Sequence, residues 1–116
     1  MSNARRVATR QDEVAPVFAA LGDATRLRIV TRLCDEGPQP IVRLAQDAGV
    51  SRQAISKHLR ALEDAGLVRS ERSGRECIWA LQPRRLAETR RCLERISTQW
   101  DEALERLRAM VESGAA

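Results

Sequence analysis

Val50-Ser51-Arg52-Gln53-Ala54-Ile55-Ser56-Lys57-His58-Leu59-Arg60-Ala61-Leu62-Glu63-Asp64-Ala65-Gly66 decides how the chain is read. Ser51 offers a side-chain oxygen where a helix begins, and Gly66 stands where a helix-ending glycine belongs. Between them Ile55, Leu59 and Leu62 fall at i, i+4 and i+7, one apolar stripe. Arg52, Gln53, Ser56, Lys57 and Arg60 gather in the first half, mostly off that stripe. Such a helix has a back for a protein core and a front of long hydrogen-bond donors. Just before it, residues 41–47 have the pattern of a short amphipathic helix. Ala48-Gly49-Val50 follows as a tight turn, where glycine permits positive φ. The pair reads as a helix-turn-helix whose second helix faces base edges and phosphates.

Working outward, 116 residues make one domain with a modest core. The 43% hydrophobic and 31% charged content is that of a soluble globular protein. The formal net charge of +4 points to an anionic partner, nucleic acid first; solubility alone is the competing explanation. No apolar run approaches the roughly 18 residues of a membrane helix. The longest, residues 14–21, is interrupted by Pro16, and no apolar segment follows Arg5 and Arg6 as in a secretory signal. Three scattered cysteines do not make a disulfide framework, and a reducing, cytoplasmic setting is expected.

Residues 1–10, with Arg5, Arg6 and Arg10, read as a mobile basic tail, and residues 11–116 as the domain. A first helix over 12–21 carries Val14, Val17, Phe18 and Leu21 on one stripe, and Gly22 stops it. Asp23 caps a second helix, from Ala24 to about Asp35, in which Leu27, Val30, Thr31 and Cys34 share a face that Ile29 and Leu33 widen. Gly37-Pro38-Gln39-Pro40 ends it. After Gly66 the period changes. Residues 67–72 and 76–81 read as strands around Ser73-Gly74-Arg75, a hairpin that follows the recognition helix as a wing. Arg72 and Arg75 fall near its tip, where a wing meets phosphates or the minor groove; a hairpin that only covers the core is the alternative.

Pro83 opens a final helix over 83–112. Leu86, Leu93, Ile96, Trp100, Leu104, Leu107 and Val111 are spaced 7, 3, 4, 4, 3 and 4 apart, close to a heptad seam. At about 28 residues and roughly 40 Å it is too long to pack wholly on so small a domain. The stripe therefore implies a partner helix, most simply that of a second subunit, with Leu86, Leu93, Ile96, Trp100, Leu104 and Leu107 at the interface. The first helix is expected to join it. The fold class is mainly α with a small β-hairpin (α+β): a winged helix-turn-helix with a long C-terminal dimerisation helix.

This order of elements resembles the ArsR-type winged-helix regulators over about residues 12–108. Residues 18–30, Phe18-Ala19-Ala20-Leu21-Gly22-Asp23-Ala24-Thr25-Arg26-Leu27-Arg28-Ile29-Val30, are similar to the family's entry into its second helix. Residues 50–59 are similar to its recognition helix, and Ala65-Gly66-Leu67-Val68 with Gly74-Arg75 to its wing. The resemblance implies a homodimeric repressor on a pseudo-palindromic operator, two recognition helices entering major grooves about 34 Å apart. It implies release by a signal. Metal-sensing members carry cysteines before and within the third helix, where this chain has Pro40 and Val42. The final helix lacks the Asp/His set of zinc sensors, because His58 is the only histidine. No metal and no cofactor is expected. Other members sense oxidants or sulfide through a cysteine pair on the second and last helices, so the resemblance also allows a Cys34–Cys92 thiol switch.

The expected DNA contacts are Ser51, Arg52, Gln53, Ser56, Lys57, Arg60, Arg72 and Arg75. The cations neutralise phosphates, while Gln53 and Ser56, with Arg52 or Lys57, reach base edges. His58 is weighed toward a partly buried, hydrogen-bonded structural role rather than a base contact. No enzyme is expected: a Gly-x-Ser-x-Gly elbow, a phosphate-cradling glycine loop and a His-Glu-x-x-His run are all missing from the sequence. A winged helix that binds another protein is the remaining alternative.

Overall fold

The computed structural model describes residues 14–114. The expected basic tail, residues 1–10, and the start of the first helix lie outside the described residues. The elements are α1 (14–21), α2 (Ala24–Glu36), β1 (Gln39–Pro40), α3 (Ile41–Ala45), α4 (Arg52–Asp64), β2 (Val68–Ser73), β3 (Glu76–Leu81) and α5 (Pro83–Glu112). The architecture is mainly helical with a small antiparallel sheet of order β1-β3-β2. Helices α3 and α4 form the helix-turn-helix, and β2 and β3 form the wing.

The core is built around α4. Ile55, Leu59 and Leu62 are 0% exposed and meet Val17 of α1, Ile29, Val30 and Leu33 of α2, Leu44 of α3, and Leu67 and Val68 at the root of the wing. Burying an aliphatic side chain of this size contributes about 1.5–3 kcal/mol, so the stripe holds the helix against the fold. Both ends of α4 are closed by local hydrogen bonds. Ser51 Oγ accepts from the Ala54 amide at 3.1 Å. At the other end the Leu67 amide donates to Leu62 O at 3.0 Å and the Gly66 amide to Glu63 O at 2.9 Å, the paired bonds of a Schellman motif. Gly66 makes this possible with φ +81°, and a Cβ there would sit 3.0 Å from Arg85 Nε. The turn before α4 uses Asp47 at φ +57° and Gly49 at φ +72°. Aspartate is among the few side chains that tolerate this region.

Two features differ from the sequence reading. The inward face of α2 is rotated. Leu27 is 49% exposed, and Thr31 and Cys34 are exposed, whereas Ile29, Val30 and Leu33 are buried. The inward face runs 26, 29, 30, 33, and its first member is the half-buried Arg26, whose polar head bonds within the fold. An apolar-only count passed over that arginine and took its neighbour. The second difference is β1. Gln39 and Pro40 end α2 as expected, but they also pair with Trp79 and Ile78 of β3. Proline is tolerated there because β1 is an edge strand.

The wing is a two-residue hairpin, Ser73 facing Glu76 across Gly74-Arg75. Gly74 has φ +63° and Arg75 does not enter the left-handed region, the pattern of a type II′ turn. Helix α5 begins at Pro83, and the Gln82 amide just before it donates to Leu67 O at 2.8 Å. Its 30 residues run about 45 Å. Within it only Thr89 and Cys92 are buried, and residues 97–114 are all exposed.

Two substitutions test this account of α4. Leu59→Ala removes a fully buried side chain and is expected to lower the unfolding free energy by about 2–5 kcal/mol in urea titration. Gly66→Ala forces a left-handed alanine against Arg85 and is expected to cost about 1 kcal/mol or more in the same assay. Parent-like midpoints would contradict the packing and the cap respectively.

Candidate nucleic-acid interface

The stripe that buries one side of α4 turns its other side to solvent. Arg52, Gln53, Lys57 and Arg60 are exposed, and Ser56 is half-buried beside them. Ser51 is exposed too, but its hydroxyl oxygen is engaged in the cap. At the wing, Val68 is buried at the root while residues 69–76 are exposed, so Arg72 and Arg75 stand free of the core. The hairpin does more than cover the core, and its tip is left exposed. Its base covers the core through Val68, Trp79 and Leu81, and its tip projects.

Many of the cations outside this face are held in ion pairs, although Arg28 of α2 and Arg91, Arg95 and Arg106 of α5 also lack a carboxylate partner among the described residues. Arg32 and Arg43 meet Glu36, Arg69 meets Glu71, Arg84 and Arg85 meet Glu88, Arg90 meets Glu94, and Arg108 meets Glu105 and Glu112. Among the described residues, no carboxylate lies within ion-pair distance of Arg52, Lys57, Arg60, Arg72 or Arg75. Cations kept free of internal partners are available to neutralise an external polyanion and release its counterions.

Behind α4 lies a polar cluster that sequence reasoning saw only in part. Asp23 caps α2, as expected, accepting from the Thr25 amide at 2.9 Å and the Arg26 amide at 3.0 Å. The Arg26 guanidinium donates from Nε to Ala20 O at 2.7 Å and lies with Nη1 3.2 Å from His58 Nδ1. A guanidinium has no acceptor, so in this contact Arg26 donates and the imidazole Nδ1 accepts. His58 is thus the partly buried, hydrogen-bonded histidine anticipated from burial statistics, with 21% of its side chain exposed. The role of Arg26 was missed. Its signal was an arginine at the i−3 position of a buried Ile29-Val30 pair.

The Asp23 carboxyl is held below the usual carboxylate range. The main cause is the Arg26 amide hydrogen bond, which outweighs desolvation and is helped by the Arg26 charge, the nearby His58 and the Thr25 amide.

Helix α5 exposes a second surface. Leu86, at the start of the expected seam, packs half-buried on the protein's own core, and Ile96 is also half-buried. Beyond them Leu93, Trp100, Leu104, Leu107, Met110 and Val111 are 49–68% exposed. Phe18 of α1 and Cys92 and Ile96 of α5 line one cleft, so the two helices lie together. The thiols are free and differently placed: Cys34 exposed, Cys77 half-buried, Cys92 buried. Among the described residues, no group of three or more His, Cys, Asp or Glu side chains is placed to hold a metal ion. None of the described helices is long and apolar enough to cross a membrane.

Helix-turn-helix, wing and an unneutralised cationic front together define a winged helix-turn-helix DNA-binding protein. Residues 21–71 match the model of a family described as a helix-turn-helix domain. Over 96 residues the chain is 39% identical to the HTH-type transcriptional regulator Rv2034 of Mycobacterium tuberculosis, covering 83% of this chain and 86% of that one. An ArsR-like transcriptional regulator from Rhodococcus sp. RHA1 superimposes with a TM-score of 0.69 at 44% identity, over 86% of this chain and 93% of its own. The homodimeric winged helix-turn-helix DNA-binding domain Mb0332 of Mycobacterium bovis superimposes with a TM-score of 0.63 at 28% identity, covering 91% and 93%. The chain belongs to the ArsR family of helix-turn-helix transcriptional regulators. That family is a DNA-binding class rather than an enzymatic one.

The depressed Asp23 carboxyl has a definite sign in stability. A group whose folded value lies below its unfolded value of about 3.9 stabilises the fold above that pH, and the contribution is lost as pH falls through the folded value. Asp23→Asn keeps an N-cap oxygen but not the titration. The stability gap between parent and Asp23→Asn, from urea unfolding at a series of pH values, is expected to be full above about pH 4 and to narrow below it. A gap that widens on acidification would contradict the assignment.

Proposed function

We propose that this regulator is a homodimeric repressor that occupies a pseudo-palindromic operator and leaves it when a signal alters the dimer. The observation that carries the reading is the concentration of unpaired cations on the front of α4 and the wing tip, opposite a fully buried stripe. Arg52, Lys57, Arg60, Arg72 and Arg75 neutralise phosphates. Gln53 and Ser56, with Arg52 or Lys57, read base edges in the major groove, glutamine suiting adenine and arginine suiting guanine. Ser51 fixes the N-terminus that brings them there.

The dimer is supported by the apolar stripe from Leu93 to Val111, which has no cover within the described chain, and by the homodimeric state of the Mycobacterium bovis relative. In this reading Leu93, Ile96, Trp100, Leu104 and Leu107 meet their counterparts, while Leu86 anchors α5 to its own subunit. A dimer seated in two successive major grooves blocks the DNA it covers, which requires no further contact. The signal is not a metal at the family's third-helix cysteine positions, because the side chains of Pro40 and Val42 offer no donor atoms. A Cys34–Cys92 switch has the difficulty that one thiol is exposed and the other buried.

Selection of genomic fragments on the purified protein is expected to yield sites with two-fold symmetry. On such a site Lys57→Ala is expected to weaken binding about uniformly across sequences and to reduce the salt slope by about one. Gln53→Ala is expected to relax preference at one base position, about 1–3 kcal/mol of discrimination. Both positions are exposed, so unchanged binding by folded variants would remove them from the interface. Trp100→Glu together with Leu104→Glu is expected to give monomers in light scattering; an unaltered dimer would place the interface elsewhere.

A further inference from the structure

The α4 helix is held by two kinds of contact. Its apolar stripe resists leaving the core, but such contacts are non-directional and tolerate small rotations. Among the described residues, the only side-chain polar contact from α4 to another element is through His58, whose Nδ1 lies 3.2 Å from Arg26 Nη1 and 3.9 Å from Asp23 Oδ1. The longer separation is outside hydrogen-bonding range, so Arg26 is the partner. The same guanidinium bonds Ala20 O at 2.7 Å. Ala20 lies in the last turn of α1, where helix carbonyls have no partner within the helix. One planar guanidinium therefore joins the end of α1 to the middle of α4. Arg26 is itself held in place, since its backbone amide is tied to Asp23.

Position matters on both sides of this link. His58 follows Lys57 directly and lies between Ser56 and Arg60, so the setting of its ring fixes how α4 is rotated toward DNA. At the other end α1 shares a cleft with α5 through Phe18, Cys92 and Ile96, beside the exposed stripe. We infer that Arg26 is a positioning residue that sets the rotation of the recognition helix through His58 and couples it to the end of α1. A shift of α1 against α5 then reaches the base-reading side chains through hydrogen bonds of fixed geometry rather than through the core. The inference rests on the DNA-binding reading above, and it adds residues that touch no DNA.

The test compares the full-length protein with Arg26→Lys, His58→Leu and His58→Gln on a selected operator duplex and on a scrambled duplex. Lysine keeps the charge but cannot span Ala20 O and His58 with one planar head. Leucine fills the space without an acceptor, and glutamine restores one. Arg26→Lys and His58→Leu are expected to lose about tenfold in operator affinity, the scale of one hydrogen bond to a charged group, with scrambled-duplex binding unchanged. The Arg26→Lys/His58→Leu double variant is expected to lose no more than either single, because the two act as one unit. His58→Gln is expected to recover most of the loss. Side-chain nitrogen NMR of the single histidine is expected to show the Nδ1 resonance shifted between the parent and Arg26→Lys, as the Nδ1 contact is lost. If His58→Leu does not fold, Arg26→Lys and His58→Gln carry the comparison.

Parent-like operator affinity in folded His58→Leu or Arg26→Lys would overturn the inference, as would additive losses or a His58→Gln as weak as His58→Leu. A parent protein that shows no preference for any duplex would instead overturn the DNA-binding reading, and the positioning role with it.

Discussion

Everything in this structure depends on the burial of one stripe. Ile55, Leu59 and Leu62 are fully enclosed by α1, α2, α3 and the root of the wing. That enclosure decides which side of α4 is left over, and the left-over side is where Arg52, Gln53, Lys57 and Arg60 stand. The proposed DNA-facing surface is thus a consequence of core packing. A one-residue rotation of the stripe would bury some of the long donors and expose leucine. The caps on α4 serve the same end, since Ser51 and the Gly66 motif fix where the helix begins and where the wing departs.

Much of this was legible in the sequence because the deciding signals are local. A serine cap, an i, i+4, i+7 stripe, a terminal glycine and a hairpin glycine each specify geometry within a few residues. The α4 limits, the wing and the proline-opened α5 follow directly. What was not legible depends on distant partners. The face of α2 was misassigned because its first inward position is a half-buried arginine. Arg26 is admitted there only because Ala20 O and His58, six residues before and thirty-two after it, take its donors. The short β1 was hidden because a two-residue strand containing proline has no periodicity of its own. It exists through its pairing with Trp79 and Ile78.

The site shows the same division. The exposure of the recognition-helix donors could be read from their position off the apolar stripe. Their lack of carboxylate partners could not, since it depends on which acidic residues fold nearby. Glu36, Glu71, Glu88, Glu94 and Glu112 are each occupied with arginines away from the α4 front. Similarly, the heptad-like spacing of α5 could be read as an apolar stripe, but Leu86 shows that its first position is spent on the chain's own core.

The central claim is that two copies of this cationic helix act together on one duplex. Sedimentation equilibrium of the protein with a duplex selected from genomic fragments measures this directly, as the number of chains carried per DNA. The account predicts two chains on a duplex with both half-sites, and a clear preference over a scrambled duplex of equal length. A single bound chain, or equal binding to the scrambled duplex, would contradict it.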